Sequence, residues 1–257
     1  MANYKVGIVL GGGGARGFAH LGILQALREQ GIQPDVISGV SVGALVGAFI
    51  AAGQTPMEAF EIMKQHRFLD FAKIELPVHG LLSLEKMGAS LREHLPYQRL
   101  EDLPTPLIIA VSNLFTGKVE YIESGDLIRS VQASASIPVL FSPVQLGEHL
   151  YADGGLFDNL PISPLEGHCQ EIISCSISPI MEVSELGNLL QVATRTFQLS
   201  VSSGLEEVQE KSTLFIEPKA IRAYDLLDTS KADELYQLGY VTAKNLPKKV
   251  REKLIGN

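Results

Sequence analysis

Ser41 stands in Gly39-Val40-Ser41-Val42-Gly43, a G-x-S-x-G run between a short β-rich stretch and a smooth apolar helix. That setting raises a serine hydroxyl on a strand-to-helix turn, where the helix N-terminus adds positive potential for an attacking alkoxide. A side chain at Gly39 or Gly43 would crowd the turn where the two backbones approach. Upstream, Gly11-Gly12-Gly13-Gly14-Ala15-Arg16-Gly17 opens onto another helix. Consecutive glycines let several N–H groups converge on a developing oxyanion without side-chain obstruction. The chemistry this pair of motifs serves is acyl transfer through a serine nucleophile, which leaves its base to be found.

The glycine run also satisfies G-x-G-x-x-G in form. A dinucleotide site needs an acidic residue at the end of the second strand, whereas Asp35 precedes that strand; a Walker loop needs G-K-[ST], which is absent. A histidine base would have to come from His66, His79, His94, His149 or His168, or from His20 in the first helix. His149 draws notice because it precedes the acidic turn Asp153-Gly154-Gly155, but the residues alone do not rank it against a direct Ser–Asp pair. An aspartate with a pKa of about 3.9 is ionised at neutral pH and can take the serine proton. Burial would raise its basicity, while Arg16 and the helix dipole would oppose that rise. Arg16 itself has two readings, orienting the loop or touching an anion directly.

The elements that must position these groups follow from the pattern. Tyr4 to Leu10 reads as a central strand, and Phe18, Leu21, Leu24 and Leu27 share one face of a helix ending at Gly31. Asp35 to Ser38 is a second strand and Val42 to Ala52 a second helix, so β-α-β-α fills the first 53 residues. Thr55-Pro56 caps another helix. Arg67 to Leu84 is irregular, with Leu76 and Val78 among apolar residues that would serve as lid, acyl channel or ordinary core. Further strands are expected at Leu107 to Ser112, Val119 to Ile122 and Glu171 to Ile177, with a hairpin around Gly147. Leu186 to Val208 reads as one long helix. The last helix begins at a Ser230–Asp233 capping box and runs to about Leu246, before Pro247 and a basic tail. No linker or repeat divides the chain, which predicts one domain over residues 1–257.

The 257 residues are 46% hydrophobic and 19% charged, enough for one large core, and the formal net charge is -8. That charge argues against nucleic acid as a partner and against adhesion to anionic headgroups, but leaves a local apolar surface available for transient peripheral membrane contact. Cys169 and Cys175 are expected as reduced thiols of a cytoplasmic protein. The apolar run Val40 to Ala52 is too short to cross a bilayer.

In combination the motifs resemble the patatin-like phospholipase family, specifically its compact bacterial members. Gly11 to Gly17 matches the family's glycine-rich block, Gly39 to Gly43 its nucleophile elbow, Asp153-Gly154-Gly155 its D-G-G/A motif, and Ala133 to Pro138 its A-S-x-x-x-P stretch. The resemblance implies a three-layer α/β/α sandwich around a mostly parallel sheet. It implies a Ser41–Asp153 dyad without histidine, with the N–H groups of Gly12, Gly13 and Gly14 as oxyanion hole. Arg16, Gly39, Gly43, Gly154 and Gly155 would support these loops. The implied substrates are fatty-acyl esters, phospholipid or lysophospholipid, with no cofactor and no metal. A soluble carboxylesterase or thioesterase for small esters and a non-catalytic lipid-binding scaffold are the competing expectations.

Overall fold

The computed structural model describes residues 3–65, 73–74, 82–180, 185, 187, 189–200 and 205–256. Tyr4–Leu10 forms β1, buried from Val6 onward as a strand covered on both faces must be. A 3-10 turn at Gly14–Gly17 leads into α1, Phe18–Glu29, which buries Phe18, Leu21, Leu24 and Leu27 and gives way to Gly31 at φ 81°. Next come β2 (Val36–Val40), α2 (Val42–Ala51) and α3 (Pro56–Lys64). Thr55 and Glu58 form a reciprocal capping box at the start of α3, with Pro56 in its first turn.

The short strands β3 (Lys73–Ile74) and β4 (Leu82–Ser83) pair antiparallel. They precede α4 (Glu85–His94), β5 (Leu107–Asn113), β6 (Lys118–Ile122) and α5 (Leu127–Ser134). The hairpin β7 (Val144–Leu146) and β8 (His149–Asp153) follows, then β9 (Cys169–Cys175). The remainder is α6 (Leu189–Ser200), α7 (Leu205–Lys211), β10 (Leu214–Ile216), α8 (Ala232–Ala243) and α9 (Lys248–Ile255).

The central sheet is mixed, in the order β10-β9-β1-β2-β5-β8-β7 with β6 also on β5, and helices flank it. Neighbours from β10 to β5 run parallel; β6, β7 and β8 pair antiparallel. One detail of register places the site. β2 pairs with the first part of β5, ending at Val40 opposite Ala110, and β8 pairs with the rest, with Asp153 opposite Val111. Ala110 and Val111 also pair with Tyr121 and Glu120 of β6, which takes the other edge of β5. So β2 and β8 share one edge of β5 and approach each other end to end. Ser41 leaves the end of β2 where Asp153 closes β8.

Two expectations change. Asp228, not Ser230, caps the turn before α8, accepting from the Ser230 N–H at 2.9 Å, while Asp233 pairs with Lys64. The basic tail after Pro247 folds as α9, whose buried Leu254 anchors it. Of the long helix expected over Leu186 to Val208, the described parts Leu189–Ser200 and Leu205 onward are helical, and residues 201–204 lie outside the described residues. Most of Arg67 to Leu84, including Leu76 and Val78, also lies outside them. Cys169 and Cys175 are free and occupy the two ends of one strand, roughly 20 Å apart at strand rise, so no disulfide joins them.

Val139 carries φ 72° with its side chain 55% exposed, a costly conformation for a β-branched residue. Val139→Gly should relieve about 1–2 kcal/mol of left-handed strain and lose about 0.5–1 kcal/mol to chain entropy. The expected result is a higher urea midpoint; a lower one would show that the valine packs better than its backbone indicates.

Candidate active site

Ser41 sits at φ 55° and ψ -125°, one of two non-glycine residues with positive φ among the described residues. Such strain costs about 1–3 kcal/mol and persists only where the surroundings enforce it. They do so from both sides. The Ser41 carbonyl accepts from Ala44 and Leu45 in the first turn of α2, and its N–H donates to Ser134 Oγ at 2.9 Å. Ser134 in turn donates to the Ala110 carbonyl at 2.7 Å, fixing the elbow to β5. A side chain at Gly43 would collide with the Leu10 carbonyl, and one at Gly154 with the Ala110 carbonyl, so both turns pack backbone on backbone.

Asp153 is fully buried. Its N–H donates to the Ser136 carbonyl at 2.9 Å, and its own carbonyl accepts from Ser112 Oγ at 2.9 Å. Oδ1 accepts the Gly155 N–H at 2.8 Å. Oδ2 has no full hydrogen bond, yet the Ser41 hydroxyl stands near enough to act on the carboxylate. Burial pushes the Asp153 pKa up to about 7, while Ser41 and the Gly155 N–H pull in the opposite direction. The carboxylate is thus far more basic than an exposed aspartate, as a proton acceptor working near neutral pH requires.

The glycine loop is tied down on both flanks. The Gly11 N–H donates to the Cys175 carbonyl at 3.1 Å and the Ala15 N–H to Leu226 at 2.7 Å. Gly12 packs between Ser41 and Asn159, and its N–H donates to the Asn159 carbonyl at 3.2 Å. That bond occupies one of the three amides expected in the oxyanion hole. The Gly13 and Gly14 N–H groups make no hydrogen bond among the described residues. Arg16 spends its guanidinium on the Tyr224 carbonyl, at 2.9 and 2.7 Å, and on Ile177 at 3.5 Å. These bonds favour its loop-orienting reading over direct anion contact.

The described histidines go elsewhere. His149 contacts Asn113 Nδ2 through Nδ1 at 3.0 Å and packs against Phe115 and Tyr151, at the end of β8 away from Asp153. His94 bonds the Ser90 carbonyl of its own helix. His20 is fully buried, which drives its pKa down to about 4, so its neutral ring donates from Nε2 to the Gly11 carbonyl at 2.8 Å. Among the described residues no histidine hydrogen-bonds Ser41 or Asp153; His66 and His79 lie outside them.

Supporting residues that the pattern did not reveal are His20, Ser112, Asn159 and above all Ser134 and Ser136. The A-S-x-x-x-P stretch signalled the last two without a role: Ser134 holds the Ser41 amide and Ser136 the Asp153 amide. Ser134→Ala would leave the buried Ser41 N–H and Ala110 carbonyl without that partner, at a cost of about 1–3 kcal/mol. We expect a lower unfolding midpoint together with roughly tenfold slower turnover, of the kind that misplaced reacting groups produce. Wild-type kinetics in a destabilised variant would show that the bond serves folding alone.

Two cavities flank the loop. One of about 40 Å³ opens beside Ser41 and is lined by apolar side chains including Phe18, Leu45, Met63 and Met87. The other, about 290 Å³, follows Gly11, Gly12 and Asp158 to Leu160 and has a mixed polar lining, without reaching Ser41 or Asp153.

The patatin-like phospholipase family model matches residues 8–166, more than half of the chain. The chain belongs to the patatin-like phospholipase family. The match takes in the glycine loop, the serine elbow and the Asp153 turn. An uncharacterized NTE family protein of Mycobacterium tuberculosis is 36% identical over 165 residues, 63% of this chain and 46% of that protein. A lysophospholipase of Aspergillus niger is 29% identical over 280 residues, 96% of this chain but 18% of its own length. This chain therefore matches less than half of either relative. The crystal structure of VipD from Legionella pneumophila shares the fold, with a TM-score of 0.51 at 17% identity over 97% of this chain and 67% of that one.

Proposed function

We propose that this patatin-family chain, a three-layer α/β/α sandwich, is a serine acyl hydrolase cleaving carboxylic esters of fatty-acyl lipids, phospholipid or lysophospholipid. The observation that carries the reading is the meeting of Ser41 with a buried, unusually basic Asp153 at the facing ends of β2 and β8. Family membership and a lysophospholipase among the relatives support the lipid ester class.

Asp153 takes the Ser41 proton as Oγ bonds to the ester carbonyl carbon, whose oxygen receives the displaced electron pair. The free Gly13 and Gly14 amides, next to the 3-10 turn, hold that oxyanion. Collapse breaks the bond to the alcohol, which leaves with the proton from Asp153. Water then attacks the acyl-serine and gives a proton to Asp153; the second collapse releases the carboxylic acid and returns the proton to Ser41. Phe157, Ile180 and Leu205, exposed on the wall of the larger cavity, offer an apolar surface for peripheral lipid contact, since the net charge of -8 offers none.

The small volume beside Ser41 favours a second reading, a soluble esterase or thioesterase for short acyl groups. Rates on an acyl ester below and above its aggregation onset separate the two. The hydrolase reading as a whole is tested by incubating the protein with a fluorophosphonate probe and mapping the adduct by mass. One adduct on Ser41 is expected; an adduct on another serine, with Ser41 unmodified, would overturn the assignment.

A further inference from the structure

The cavity beside Ser41 does not end the apolar space. A second chamber of about 10 Å³ adjoins it, among Phe49, Ile62, Ser90 and Leu91, and Leu45, Met63 and Met87 line both chambers. We propose that the acyl chain of the substrate runs from Ser41 between α2, α3 and α4, and that Met63 and Met87 are the side chains that set its length. This rests on the ester-hydrolase reading above.

Three observations support it. The first chamber touches Ser41, Gly14 and Ala15, so it begins where an acyl group bonded to Oγ would begin, and its lining is almost wholly apolar. Its volume accommodates about three water-sized groups and the second chamber about one, by the space a single water needs. A chain of more than about three carbons must therefore displace the partition between them. That partition combines one branched residue, Leu45 on α2, with two methionines on α3 and α4. Methionine is unbranched and turns about three bonds, so it yields to a ligand where leucine resists.

The wall is also tied to the nucleophile. Gln132 Nε2 donates to the Leu84 carbonyl at 2.8 Å, just before α4, and Ser134 on the same helix α5 holds the Ser41 amide. The spacing between Met87 and Ser41 is thereby fixed by one rigid element.

The test is kcat/KM on p-nitrophenyl esters from acetate to tetradecanoate, for wild type, Met63→Ala, Met87→Ala and Ser90→Leu. Each alanine removes three heavy atoms, and burying one more methylene is worth roughly fourfold. The ratio of decanoate to butyrate is expected to rise at least tenfold in either alanine variant, with the optimum about three carbons longer. Ser90→Leu fills the second chamber and should shorten the optimum; because it adds volume, it remains informative if alanine loosens the packing. Folded variants that keep the wild-type chain-length profile, while Ser41 still takes up the fluorophosphonate, would overturn the acyl path and leave the hydrolase reading standing. A wild type that neither turns over any ester nor labels at Ser41 would overturn both.

Discussion

Asp153→Asn should leave a folded protein whose ester turnover is lower by about a thousandfold, within the range that loss of a general base produces. The variant keeps the Asp153 backbone bonds to Ser136 and Ser112, so the end of β8 stays in place. Its pH behaviour is the sharper check. The folded carboxyl titrates at about 7, so wild-type kcat/KM should climb through pH 7 with a slope of one as the base ionises. Stability should run the other way. The folded-state pKa is raised above the ordinary value near 3.8, so the folded protein holds a proton that the unfolded chain has lost between those values. The stabilisation is fully present below about pH 4 and is lost as pH rises through about 7. Asparagine has no charge to bury, so Asp153→Asn should gain stability relative to wild type between pH 5 and 8, on the order of a few kcal/mol. Denaturant midpoints at the two pH values measure this. A wild type whose activity is flat from pH 5 to 8 would show that Asp153 does not carry the reacting proton.

Ser41→Ala should abolish turnover to within background, a loss of about 10⁴-fold or more, and abolish labelling by a fluorophosphonate. Stability should change little, since alanine keeps the amide bond to Ser134 and is no more comfortable than serine at φ 55°. Ser41→Gly should instead stabilise the fold by about 1 kcal/mol, because glycine adopts that conformation freely. A coupled effect separates the dyad from two independent residues. The Ser41 hydroxyl lowers the Asp153 pKa, so its removal should move the carboxyl above about 7, measurable by NMR titration of labelled aspartate. An unmoved pKa would mean the two side chains do not interact.

Local chemistry made much of this protein legible from its sequence. The apolar run Tyr4 to Leu10, the glycine stop at Gly31, the Thr55-Pro56 cap and the turn at Gly147 each depend on a few adjacent residues. So does the elbow, because G-x-S-x-G next to a strand and a helix leaves the chain few ways to turn. Capping was legible only in part: Asp228 outcompeted Ser230 within one turn, a choice between neighbours of similar propensity. The helix α9 was missed because its register is set by the burial of Leu254 against the body, not by its strongly polar sequence.

What no local pattern contains is the pairing along β5. Ser41 and Asp153 meet because β2 and β8 arrive at one strand edge from opposite directions, and strand pairing is a long-range choice decided by the whole sheet. The same choice carries His149 away from the nucleophile, although it stands nearer to Asp153 in sequence than Ser41 does. Tertiary structure likewise set the state of the loop amides, since the Asn159 carbonyl claims Gly12 while Gly13 and Gly14 make no hydrogen bond among the described residues. It also set the basicity of Asp153. An aspartate in an unfolded chain is an ordinary acid, and only the desolvation imposed where the ends of β2 and β8 meet along β5 raises its affinity for a proton.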